Sequence, residues 1–123
     1  MILENIYEDD FEDCSCGFRP GRSCHTALNY IQKRFTGARW FIEGDIKGFF
    51  DNINHETLIR IMEKRIRDDR FLRLVRKFLN AGYMEQGQSH RTYSGTSQGG
   101  IISPILANIY LNELDKYMMA RAE

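Results

Sequence analysis

Residues 41–51 read Phe-Ile-Glu-Gly-Asp-Ile-Lys-Gly-Phe-Phe-Asp, and they decide the fold expected of the chain. An apolar run delivers one acid, Asp45, and an aromatic pair, Phe49 and Phe50, follows it closely. Over residues 39–46, Trp40, Ile42, Gly44 and Ile46 alternate with Phe41, Glu43 and Asp45. Alternation with a period of two predicts a β-strand. Asp45 then stands near the strand's C-terminal end, on the face opposite Ile42 and Ile46.

Outward from this segment the pattern turns helical. Ser23 can cap a helix whose Ala27, Leu28, Ile31 and Phe35 share a face, and Gly37 ends it. Residues 1–22 show little periodicity and read as extended segments and loop. Downstream, Asn54 can cap a helix with Leu58, Ile59, Met62 and Ile66 inward. Asp68 or Asp69 starts another, carrying Phe71, Leu74, Val75 and Phe78, and Asn80-Ala81-Gly82 closes it. Residues 83–93 read as a β-hairpin and residues 94–100 as a glycine-rich loop. Ser103-Pro104 is a helix start, a capping hydroxyl followed by proline at the first helical position. That helix is expected to reach Met119, with Ile105, Leu106, Ile109 and Leu114 packed. The order predicts an α+β fold, helices packed on a small antiparallel sheet.

At 123 residues the chain is one domain or part of one. Two prolines and ten glycines leave no low-complexity linker. No apolar run approaches the roughly 20 residues of a membrane span. Met1 leads into Ile-Leu-Glu-Asn without a basic start, so no secretory signal is expected and the cytoplasm is the default location. Net charge is zero, which argues against a general nucleic-acid glue. The charge is nonetheless segregated. Glu4, Glu8, Asp9, Asp10, Glu12 and Asp13 make the start acidic; Arg60, Lys64, Arg65, Arg67, Arg70, Arg73, Arg76 and Lys77 make the middle basic. Such a tract can track phosphates or form a solvated helix face. Cys14, Cys16 and Cys24, an odd number in a chain with no expected secretory signal, are expected to be free thiols, and their spacing with His25 is tighter than zinc sites use.

A carboxylate at a strand's end beside a glycine can hold a divalent ion. Mg²⁺ takes hard oxygen ligands, commonly one or two carboxylates completed by phosphates and water. Asp45 would serve, with the backbone carbonyl of Ile46 as an added ligand; a turn-forming aspartate is the alternative. If Asp45 holds a metal-bound nucleotide, the ring of Phe50, or less directly Phe49, can close the space below the sugar. A ring there clashes with a 2′-hydroxyl and admits deoxynucleotides, which is selection by exclusion. In Gln98-Gly99-Gly100 the glycines let backbone approach a ligand, and Gln98 offers a donor and an acceptor. Arg19 and Arg22, on the Pro20-Gly21 turn, can bind template phosphate or pin the turn to Asp13 or Glu12.

Together these residues resemble the bacterial group II intron reverse transcriptases, the intron-encoded maturase-type enzymes. The stretch Gly-Phe-Arg-Pro-Gly-Arg-Ser-Cys-His-Thr-Ala-Leu at residues 17–28 is similar to their second sequence block. Residues 40–55, with Asp-Ile-Lys-Gly-Phe-Phe-Asp at 45–51, resemble the third, and residues 95–115 resemble the fourth. The resemblance implies part of a right-hand polymerase, with residues 1–38 from the fingers and 39–123 from the palm. It implies RNA-directed DNA synthesis with Mg²⁺. Asp45 would be the catalytic metal ligand, Phe50 the sugar gate, and Gln98 with Gly99 the nucleotide contact. Partners would be an RNA template, a DNA primer, deoxynucleoside triphosphates and intron RNA, with no membrane. The family's Tyr-x-Asp-Asp block is expected after residue 119 and is not found there. Tyr7-Glu8-Asp9-Asp10 matches its letters but precedes the second block. The isolated chain is therefore expected not to polymerise, and its uncovered sheet edges could promote self-association. A non-catalytic RNA-binding module assisting splicing is the alternative.

Overall fold

The computed structural model describes residues 2–47, 49–79 and 98–122. Helix α1 spans Ile2–Tyr7 and runs into a 3₁₀ turn at Glu8–Asp10; α2 is Cys24–Arg34, α3 Phe49–Asn52, α4 His55–Glu63, α5 Asp69–Lys77 and α6 Gln98–Ala122.

The expected sheet is overturned: among the described residues there is no strand, and they are helical with extended connections. Residues 40–46 run as an irregular segment with Trp40 90 % and Ile42 100 % exposed. The alternation there is real, but a strand needs a neighbour to complete its ladder, and no described segment pairs with it. The hairpin expected at residues 83–93 and the loop at 94–97 lie outside the described residues.

Local chemistry set the helix starts as expected. Ser23 caps α2 in a box with Thr26, Asn54 Oδ1 accepts from the Thr57 N–H at 3.0 Å, and Asp68 Oδ1 accepts from the Arg70 and Phe71 N–H groups. Each satisfies donors that a helix N-terminus leaves open.

The core joins four helices. Leu3 and Tyr7 of α1, Leu58, Ile59 and Met62 of α4, Leu72 and Val75 of α5, and Ile105, Leu106 and Ile109 of α6 are buried together, with Phe11, Ile66 and Leu79. Four expectations change here. The N-terminal stretch is helical, because Leu3 and Tyr7, four apart, reach the core on one face. On α5 and just past its end the buried stripe is Leu72, Val75 and Leu79, and Leu74 is exposed. Residues 71–79 hold two overlapping apolar stripes, and contact with α4 selects one. Helix α2 buries no residue; Leu28, Ile31 and Phe35 face outward. Finally, α6 begins at Gln98 with Pro104 inside it, and Leu114 is exposed. Proline has no N–H to give the carbonyl four residues back.

Asparagines tether α6 to the N-terminal segment. Asn108 Nδ2 donates to the Gly17 carbonyl at 2.8 Å, and Asn112 Nδ2 donates to the Asp10 carbonyl at 3.0 Å. These bonds seat residues 10–17 along α6 and so form one wall of the cleft described next.

Candidate active-site cleft

Asp45 lies on the exposed segment before α3, at a cleft of about 530 Å³ lined by Ser15, Gly44, Asp45, Ile46, Phe49, Asn108, Leu111, Leu114 and Asp115. Its side chain is exposed, so a hydrated cation can reach it. Ile46 follows on the same rim and is half exposed. Phe49 packs edge-on against Tyr110 of α6, with ring centroids 5.8 Å apart. That contact anchors the start of α3 to the long helix. Asn52 Nδ2 donates to the Lys47 carbonyl at 2.9 Å, which closes the turn behind Asp45.

Asp115 is the second carboxylate lining this cleft, and it was not singled out from the sequence. Partial burial pushes its carboxyl above the usual aspartate range, and the charge of Glu12 adds to the effect. Burial also raises the Cys14 thiol, with Asp115 contributing. The signal available was the spacing of Asn108, Leu111 and Asp115, one face of a helix. It was obscured because α6 carries apolar residues on all sides.

The site residues expected from sequence are only partly brought together. Asp45, Ile46 and Phe49 share the cleft. Phe50 belongs to α3, and Gln98 and Gly99 to the first turn of α6, but their side chains lie outside the described residues. Arg19 and Arg22 are engaged elsewhere. Arg19 is buried, with Nη2 donating to Glu8 Oε1 at 2.9 Å and Nη1 to the Glu12 and Ser15 carbonyls at 2.9 and 2.8 Å. Arg22 donates to the Asp13 carbonyl at 2.7 Å and to its carboxylate at 3.2 Å. Both arginines therefore hold the turn in place.

The Tyr7-Glu8-Asp9-Asp10 stretch is structural in the same sense. Asp10 Oδ2 accepts from Lys116 at 2.9 Å and from Asn112 at 3.1 Å, and Arg65 stands 3.4 Å from Oδ1. Glu8 is taken by Arg19.

Among the described residues no three His, Cys, Asp or Glu side chains gather as a metal cluster. The cleft still fits a hard divalent ion in outline. It offers carboxylate oxygens, a nearby backbone carbonyl and access for water, and Mg²⁺ commonly takes its remaining ligands from substrate phosphates. No helix among the described residues is long and apolar enough to cross a membrane.

Residues 1–122 match the family model described as reverse transcriptase (RNA-dependent DNA polymerase). The chain is 63 % identical over 119 residues to the group II intron-encoded protein LtrA of Lactococcus lactis subsp. cremoris, covering 97 % of this chain and 20 % of that protein. It is 52 % identical over 118 residues to an uncharacterized 91 kDa protein in the cob intron of Schizosaccharomyces pombe, covering 96 % and 15 %. Nuclear intron maturase 2, mitochondrial, of Arabidopsis thaliana is 27 % identical over 163 residues, covering 100 % of this chain and 22 % of that protein. The chain thus spans about a fifth of the length of the first of these relatives.

Proposed function

The chain belongs to the reverse transcriptase (RNA-dependent DNA polymerase) family, and from that premise we propose that it forms part of the catalytic domain of a group II intron-encoded reverse transcriptase and maturase. Such enzymes act on nucleic acid and use divalent metal ions; the ion proposed here is Mg²⁺. Asp45 and the Ile46 carbonyl would hold it. When bound, the ion supplies charge neutralisation for phosphoryl transfer. Phe50 would exclude the 2′-hydroxyl of a ribonucleotide, and Gln98 and Gly99 would position the incoming nucleotide.

The observation that supports this reading best is the exposure of Asp45 at a cleft that also holds Asp115. A buried, paired aspartate could not accept a hydrated cation without a large desolvation cost. The non-catalytic RNA-binding alternative loses part of its basis, because Arg19 and Arg22 are committed to Glu8 and Asp13.

The test is a chimera in which this chain replaces the matching stretch of the 63 % identical intron-encoded relative. It is expected to extend a DNA primer on an RNA template with deoxynucleotides. Phe50→Ala in that chimera is expected to admit ribonucleotides. A folded chimera that makes no DNA would refute the assignment, and unchanged sugar selectivity in the variant would remove the gate.

A further inference from the structure

Helix α5 carries more charge on its outer face than the fold uses. Leu72, Val75 and Leu79 face the core. On the other side Arg70, Arg73 and Lys77 follow at spacings of three and four, the repeat of a single helix face. All three are exposed, and Leu74, 49 % exposed, lies among them. None forms an ion pair among the described residues, whereas the adjacent Arg76 is held by Glu56 at 2.6 Å. Arg67, also exposed, continues the basic run before the helix. Acids border the row at its start: Glu63 and Asp69 share a shallow recess with Leu72, Arg73 and Arg76, and Asp68 caps the helix beside Arg70.

We propose that this face of α5 tracks the sugar–phosphate backbone of RNA. At 1.5 Å per residue, Arg70 to Lys77 spans about 10 Å. With one phosphate neutralised per cation, the row can engage about three phosphates. Arginine and lysine are the side chains suited to phosphate oxygens. Arg70, Arg73, Leu74 and Lys77 put no aromatic ring among them to stack on bases, so recognition is of backbone and independent of sequence. The face is separate from the Asp45 cleft, whose lining comes from other elements. The choice of RNA over an acidic protein rests on the family reading above; the row of cations does not.

The test is binding of the chain to a labelled single-stranded oligouridylate, followed by anisotropy between roughly 50 and 200 mM salt. Three phosphate contacts contribute about 0.7 each to the slope of log affinity against log salt. Replacing Arg70, Arg73 and Lys77 together by Gln is therefore expected to flatten the slope by about 2. The double variant Arg70→Lys, Arg73→Lys is expected to retain it. A control with Lys33→Gln, Arg34→Gln and Arg39→Gln, an equal charge loss elsewhere, is expected to leave the slope near that of the parent chain. The proposal is overturned by an unchanged slope in the α5 triple variant, by an equal loss in the control or the lysine variant, or by no binding in the parent chain. Equal binding of an oligoglutamate through the same three residues would make the partner an acidic protein and overturn RNA. Failure of the chimera to make DNA would refute the catalytic assignment without changing any of these slopes.

Discussion

Arg19 and Glu8 form a forked ion pair across eleven residues of chain, with Nη2 2.9 Å from Oε1 and Nε 3.3 Å from Oε2. The guanidinium also caps the Glu12 and Ser15 carbonyls and lies over the Phe11 ring, 5.4 Å from its centroid. One side chain thus closes the N-terminal segment that lines the Asp45 cleft.

Its removal is expected to be costly. Arg19→Ala leaves the partly exposed Glu8 carboxylate and two part-buried carbonyls unpaired, a loss of about 2 kcal/mol. Arg19→Lys is expected to recover little, because a point charge cannot reproduce the fork. Urea unfolding of the two variants measures both effects. A small loss would mean that the guanidinium is free for other partners.

Tyr7 is expected to behave in the opposite way. Its hydroxyl is buried and has no hydrogen-bond partner among the described residues. Tyr7→Phe is therefore expected to leave stability unchanged or raise it by up to about 1 kcal/mol. Burial pushes the phenol up to about 12, partly offset by Arg65. A folded-state value above the unfolded value of 10.0 favours the protonated native form. That contribution is complete below pH 10 and is lost as pH rises towards 12. Tyr7→Phe should lose less stability across this alkaline window, as followed by thermal unfolding at stepped pH.

The lone tryptophan reports on the expected strand. Trp40 is 90 % exposed on the segment expected to be a strand. In the isolated chain its emission is expected to be quenched by iodide almost as readily as that of free tryptophan. Strong protection from quenching would show that residues 39–46 are paired or covered.

The sequence disclosed what short-range chemistry decides. Ser23, Asn54 and Asp68 cap their helices because a side-chain oxygen and a backbone N–H three residues on are bound to meet. The inward face of α4 was legible because Leu58, Ile59, Met62 and Ile66 form one unambiguous stripe. The strand at 39–46 was not, since alternation describes a segment's two faces and says nothing of a partner. Nor was the choice between Leu72 and Leu74, which packing against α4 makes. Of the site, the exposed Asp45 was legible from its glycine and its place after an apolar run. Asp115 was hidden in a helix whose apolar residues give no single face. The fate of Arg19 was open between two acceptors, and Glu8, eleven residues away, was not among them.

The most direct test is Asp45→Ala in the chimera, read by primer extension on RNA alongside thermal unfolding. Asp45 is exposed and forms no described ion pair, so stability is expected to stay within about 0.5 kcal/mol. DNA synthesis is expected to fall by more than about a thousandfold, or about 4 kcal/mol of barrier. Undiminished synthesis by the folded variant would contradict the account.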